Sequence, residues 1–233
     1  MNSPIRSIRG MNDILPQDMH YWQTLENAAE QVFSAFGFEE IRLPLLEKTE
    51  VFIRAIGSAT DVVSKEMYSF NDRNDESLSL RPEGTAGVVR AALQNGLLYG
   101  PMRRLWYSGA MFRYERPQKG RSRQFHQIGA ELFGAPGADA DAEILMLGTD
   151  LWSRLGLDNL RLEINTLGNS DERALYRDEL YSFLKAHGNE LDDQTNERVE
   201  RNPLRVLDSK DPRVRSLLED APLLADHLGK ASL

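Results

Sequence analysis

Two long strand-like runs, Leu105 to Glu115 and Arg123 to Phe133, flank the stretch Arg116-Pro-Gln-Lys-Gly-Arg-Ser122. Proline, glycine and a cluster of polar residues between two such runs favour a reversal of the chain, so the sequence predicts a long β-hairpin with a basic loop. In a strand, successive side chains point to opposite faces. On the first arm that groups Arg113 with Glu115 and sets Phe112 and Tyr114 opposite. On the second it groups Arg123, Phe125, Gln127, Gly129 and Glu131, with His126, Ile128, Ala130 and Leu132 opposite. One face is therefore expected to be core. The other gathers Arg, Glu, Phe and Gln around a glycine, a better recipe for a ligand platform than for a solvated surface.

Charge points the same way. The chain is acidic, with a net charge of −8 over 233 residues, which argues against a general nucleic-acid binder. Yet Arg103 to Arg123 holds seven basic residues and only one acid, Glu115. A local basic focus on an acidic protein suggests a specific anion site. A charge run is more often a solvated patch, but here the arginines are interleaved with aromatic and apolar residues.

The remaining pattern predicts helices over Gln17 to Phe36, Glu47 to Ile56, Glu83 to Gln94, Ala138 to Leu155 and Asp171 to His187, several followed by glycine. Shorter strands are expected at Phe38 to Leu43, Glu66 to Phe70, Leu78 to Arg81 and Leu160 to Leu167. After Asp192, Pro203, Pro212 and Pro222 break the chain into short pieces. Hairpin-linked strands with flanking helices favour an α+β fold with an antiparallel sheet over a doubly wound parallel one.

Several chemistries find no support. There is no G-x-x-x-x-G-K-[ST], G-x-G-x-x-G, H-E-x-x-H or G-x-S-x-G run. Cysteine is absent, which rules out disulfides and cysteine-ligated metals. The four histidines are scattered and read as structural or surface residues. Asp139, Asp141 and Glu143 lack the glycine and later ligands of a calcium loop and read as helix-start acids. No apolar run approaches membrane-spanning length and Met1 to Asp13 has no signal-peptide core, so no membrane partner and a cytoplasmic location are expected.

On the polar face of the hairpin the residue types suit a nucleotide. Arg113 can hold a phosphate in bidentate fashion, Phe125 can stack on a purine, and Glu115 can accept from an exocyclic amine. Gln127 and Glu131 can hold a second ligand carrying a positive amino group.

The run Phe112-Arg-Tyr-Glu-Arg-Pro-Gln-Lys-Gly-Arg-Ser-Arg-Gln-Phe-His-Gln127 resembles motif 2 of class II aminoacyl-tRNA synthetases, in the form found in the histidyl-tRNA synthetase family. Ile8 to Asp13 resembles that family's N-terminal segment, and Leu80-Arg-Pro-Glu-Gly-Thr85 its amino-acid-binding strand end. Arg42-Leu-Pro44 with its flanking helices resembles motif 1, the dimer element, so a homodimer through Phe38 to Gly57 is expected.

The resemblance implies a class II synthetase-like antiparallel sheet flanked by helices, with ATP, Mg²⁺, histidine and tRNA(His) as ligands. Arg113 would contact the α-phosphate of ATP and stabilise charge during attack by the histidine carboxylate. Glu115 and Phe125 would hold the adenine, and Arg121 would lie over the phosphates. Glu83, Thr85, Gln127 and Glu131 would form the histidine pocket. Arg116, Gln118, Lys119 and Arg123 would face the tRNA. The family's R-G-L-D-Y-Y and G-x-x-x-G-[LF]-E-R runs do not occur here. The expectation is thus a partial catalytic core over residues 1–191 and the start of a helical segment over 192–233, without an anticodon-binding domain. Alternatives are a histidine-binding paralogue such as the regulatory subunit of ATP phosphoribosyltransferase, or a plain tRNA- or ATP-binding module. The intact basic loop argues against the paralogue.

Overall fold

The computed structural model describes residues 4–58, 60–230 and Ser232. It divides into two compact units, Met1–Leu160 and Arg161–Leu233.

The first unit is organised by the predicted hairpin. Strands β5 (Arg103–Phe112) and β6 (Gln124–Phe133) pair antiparallel along their full length. They follow helix α1 (Met19–Ala35), the short strands β1 (Glu39–Glu40) and β2 (Leu46–Lys48), helix α2 (Thr49–Ile56), strands β3 (Ser69–Asn71) and β4 (Ser77–Leu80), and helix α3 (Thr85–Gln94). Helix α4 (Ala138–Arg154) comes after the hairpin. The larger sheet has the order β1-β5-β6, and the smaller, antiparallel throughout, has the order β2-β4-β3.

The α+β architecture with helix-flanked sheets is as expected, and four local features differ. β1 runs parallel to β5, so the main sheet is mixed. Phe38 to Leu43 pairs over only two residues before Pro44, and Glu47 and Lys48, expected to open a helix, instead belong to the strand Leu46–Lys48 held by β4. Leu160 to Leu167, expected to be a strand, has no pairing among the described residues, and Leu160, Leu162 and Ile164 are exposed. Its alternation is that of a half-buried strand, but alternation does not supply a partner edge.

Both faces of the hairpin are covered. On one, Trp106, Ile128, Ala130 and Leu132 pack against Ala29, Val32 and Phe33 of α1 and Leu147 of α4. Phe33 stacks on Trp106 with ring centroids 4.9 Å apart. Arg104 ties β5 to α4 through a two-point ion pair with Glu143, at 2.6 and 2.9 Å. On the other face, Leu105, Tyr107 and Met111 pack with Val88 and Ala92 of α3, and Phe125 and Phe133 join them. The platform face expected from sequence is thus partly core.

The second unit has its own core. Helix α5 (Ser170–Ala186) supplies Tyr176, Leu180 and Leu184, which meet Val199 of α6 (Asp193–Arg201), Val206, and Val214 of α7 (Pro212–Leu218). α5 starts at a reciprocal cap in which Asn169 accepts from the Asp171 and Glu172 amides, and Glu172 accepts from the Asn169 amide.

Candidate functional site

The site is built where β5 and β6 face the start of α3. Residues directly opposite in an antiparallel pair share a face. The register sets Tyr107 opposite Gly129, Gly109 opposite Gln127 and Met111 opposite Phe125. Both glycines are spatial requirements. A Cβ on Gly129 would lie 2.5 Å from the Tyr107 Cζ and Oη, and one on Gly109 would lie 2.3 Å from Arg81 Nη2. Gly84 is equally constrained, since its Cβ would fall 2.1 Å from the same tyrosine ring. Tyr107 is thus clamped between two backbones and forms the floor.

Over this floor stand three residues expected from sequence. The Thr85 hydroxyl lies near both Tyr107 and Glu131 and favours their ionised forms. Burial pushes the Glu131 carboxyl above the ordinary carboxylate range, against the pull of Thr85, and the charge of Glu83 adds to the rise. Burial likewise raises the Tyr107 phenol. Gln127 Oε1 is buried with no hydrogen-bond partner among the described residues. A buried orphan acceptor costs about 1–3 kcal/mol, which a donor on a ligand can recover. Glu83 is the fourth. Its carboxylate accepts from the Thr85 amide at 2.7 Å and the Ala86 amide at 2.8 Å, which caps α3. The helix-cap role and a ligand role are compatible, because a carboxylate has about four acceptor positions.

Arg113 stands beside this pocket at the end of β5. Its Nε donates to the Pro82 carbonyl at 2.8 Å, and its Cζ lies 5.1 Å from the centre of the Phe125 ring. Anchored through Nε, the guanidinium keeps two terminal amino groups that bond no acceptor among the described residues. Phe125 is half-buried against the α3 cluster, not freely exposed. Glu115 and Arg121 pair with each other at 3.2 Å.

The loop residues divide. Arg116, Gln118 and Lys119 are exposed, and Gln118 and Arg121 close the loop tip with reciprocal backbone hydrogen bonds of 3.1 and 2.9 Å. Arg123, expected to face RNA, instead lies over the Tyr114 ring at 4.1 Å and donates from Nε to the Glu115 carbonyl at 3.3 Å. Its guanidinium supports the base of the loop.

Three members of the site escaped sequence reasoning. Tyr107 shares a face with Arg113 by simple alternation, so the period-two pattern contained it. Arg81 is buried, and its guanidinium donates to the carbonyls of Ala110 and Leu43, both at 2.9 Å, which locks the Leu43–Pro44 segment to β5. Burial lowers its pKa. Glu66 has no sequence signal. Its carbonyl accepts from the Tyr114 amide at 2.7 Å, and burial and the nearby Glu115 raise its carboxyl, opposed by Arg113 and Arg121.

The histidines are structural, as read: His20 donates from Nδ1 to the Gln17 carbonyl and His187 from Nδ1 to the Phe183 carbonyl, His126 packs on Trp22, and His227 meets Glu179. Asp139 and Asp141 sit in the first turn of α4, also as read. Among the described residues no group of three or more His, Cys, Asp or Glu forms a metal cluster, and no helix is long and apolar enough to cross a membrane.

A model of the histidyl-tRNA synthetase family matches residues 10–174. Among solved structures, the chain is similar to apo histidyl-tRNA synthetase of S. aureus, with 32% identity and a TM-score of 0.76 over 98% of this chain and 51% of that one. It thus spans about half the length of that relative. It shares its fold with an ATP phosphoribosyltransferase regulatory subunit/histidyl-tRNA synthetase from Bacillus halodurans (20% identity, TM-score 0.63, 97% of this chain and 64% of that one). The same holds for a histidine–tRNA ligase subunit from Alicyclobacillus acidocaldarius (19% identity, TM-score 0.62, 95% and 74%).

Proposed function

Because the chain belongs to the histidyl-tRNA synthetase family, we propose that its hairpin face binds histidine and ATP side by side and joins them as histidyl-adenylate, the precursor for charging tRNA(His). The observation that carries this reading is the adjacency on one face of two unlike subsites. One is a polar cluster of half-buried Gln127 and Glu131 beside exposed Thr85; the other is an anchored guanidinium, Arg113, beside an aromatic ring.

In the reaction, an oxygen of the histidine carboxylate attacks the α-phosphorus of ATP. The bond to the bridging oxygen breaks and pyrophosphate leaves with the electron pair. Negative charge builds on the α-phosphate oxygens, and the terminal amino groups of Arg113 face that charge in a partly dehydrated setting where electrostatic stabilisation is strong. Glu131 and Glu83 hold the α-ammonium group and an imidazole N–H. Gln127 Oε1 takes a further N–H, which relieves its orphaned state. Phe125 offers a face to adenine and Glu115 an acceptor for its exocyclic amine. Arg121 releases Glu115 to meet the phosphates. Mg²⁺ arriving with ATP would be held by phosphate oxygens and one or two carboxylates, and would supply charge neutralisation there; Glu66 and Glu115, which lie close enough to influence each other, are the acids that would serve.

Arg116, Gln118 and Lys119 lie exposed on the loop and suit the phosphates of a tRNA acceptor end. That loop favours the ligase over a histidine-sensing role, which needs the pocket but no RNA contact. The expected dimer element, Phe38 to Gly57, exposes Leu45, Leu46 and Ile53, which suits an isologous two-fold contact in a cytoplasmic homodimer. Histidine-dependent exchange of pyrophosphate into ATP tests the reading. Activity in the full-length enzyme that collapses on Arg113→Ala supports it, and exchange that survives that change at the wild-type rate refutes it.

A further inference from the structure

The basic loop is held from outside the hairpin. Ile8 to Met11 forms a β-turn closed by the Met11 amide on the Ile8 carbonyl at 2.9 Å, with Gly10 at φ 84°. A positive φ at the third position of such a turn is what glycine allows and other residues resist. The turn aims the Gly10 carbonyl at the first residues of the second arm, where it accepts from the Arg123 amide at 2.7 Å and the Gln124 amide at 3.0 Å. The same glycine fits closely between both ends of the loop. A Cβ on it would meet Pro117 Cγ at 3.0 Å on the entry side, and Arg123 Cγ at 3.0 Å and the Arg123 amide nitrogen at 3.1 Å on the exit side.

Arg123 in turn receives the Arg113 amide on its carbonyl at 2.9 Å, donates to the Glu115 carbonyl, and covers Tyr114. One carbonyl therefore anchors the residue that supports the loop base and that is hydrogen-bonded to Arg113. None of the described residues of this segment belongs to a core cluster of the unit. Its contacts are with the loop and the start of β6.

We propose that Ile8 to Asn12 is a strap that orders the neck of the basic loop, with Gly10 as its positioning residue, so that Arg116, Lys119 and Arg121 present a fixed array of charge to a polyanion. The last clause rests on the reading of the loop as RNA-facing; the strap itself does not. Without the strap, Arg123 and Gln124 lose their amide acceptor and the loop pivots on its flanks.

Amide hydrogen exchange on the chain, with Gly10→Ala against wild type, reads the strap directly. The Arg123 and Gln124 amides should exchange faster on the order of ten-fold, as should trypsin cleavage after Lys119 and Arg121, while amides in α5 and β4 keep their rates. If Gly10→Ala does not fold, Gly10→Asn serves, since asparagine tolerates the left-handed turn but still drives a Cβ into Pro117 and Arg123. Unchanged exchange at Arg123 and Gln124 in the folded variant overturns the strap. A parallel titration with a short RNA duplex at low salt separates the two readings. Duplex binding by wild type that weakens in the Gly10 variant supports the whole proposal. Equal binding by both overturns the positioning role. No binding by wild type removes the RNA reading and leaves the exchange result to decide the strap.

Discussion

Gly129→Ala probes the floor of the site, and the structure sets its sign. Away from steric conflict, replacing a strand glycine by alanine stabilises by about 0.4–1 kcal/mol, because the unfolded chain loses freedom. At Gly129 the new methyl would lie 2.5 Å from Cζ and Oη of Tyr107 and 2.7 Å from Cε1. The ring has no retreat, because the Gly84 backbone closes its other side. Overpacking of this kind costs about 1–3 kcal/mol, more than the backbone gain, so a net loss of roughly 1–2 kcal/mol is expected. Gly148→Ala in α4 is the control with the opposite sign. There the methyl meets the Trp152 ring at 3.5–3.7 Å, an ordinary contact, and the helix gains about 0.8–1.0 kcal/mol of propensity. Urea unfolding followed by tryptophan fluorescence suits both, because Trp22, Trp106 and Trp152 all lie in the first unit. A double-mutant cycle with Tyr107→Ala should show coupling of about 0.5–3 kcal/mol, with the tyrosine truncation relieving the Gly129→Ala cost. A Gly129→Ala chain as stable as wild type, or an additive cycle, would refute the claim that Tyr107 is clamped.

Further outcomes follow from the site. In the folded chain Glu131 keeps its proton to higher pH than in the unfolded chain, so stability falls as pH rises through that window; Glu131→Gln should flatten the fall and raise the thermal midpoint at neutral pH while weakening histidine binding. Arg113→Lys should lower the rate of pyrophosphate exchange in the full-length enzyme by about 10²-fold, since an ammonium cannot reproduce both the Pro82 anchor and the terminal fork; a near-wild-type rate counts against the phosphate role. Sedimentation should show a two-fold dimer that Ile53→Glu dissociates, and a wild-type monomer at micromolar concentration contradicts the interface.

Much of this was legible in the sequence because it rests on local chemistry. The hairpin announces itself through two strand-like runs around a Pro- and Gly-containing loop, and α1, α4 and α5 through apolar spacing and following glycines. β1 and β2 did not, because two- and three-residue strands flanking Pro44 are decided by the edges that receive them. Leu160 to Leu167 erred the other way: a strand-like pattern without a paired neighbour. For the site, alternation alone grouped Gln127, Gly129 and Glu131. It gave no sign that α3 covers half of that face and buries Phe125 part-way, nor that Arg123 turns back onto Tyr114. Arg81 and Glu66 were invisible because their roles come from long-range backbone contacts, to Leu43, Ala110 and Tyr114.

The most direct test of the account is an equilibrium titration of this chain with L-histidine and with histidinol, which keeps the ammonium group and the imidazole but lacks the carboxylate. Saturable binding of both is expected at neutral pH, lost or strongly weakened by Glu131→Gln and by Gln127→Ala, with leucine inert. Binding that ignores both substitutions, or that leucine matches, would contradict it.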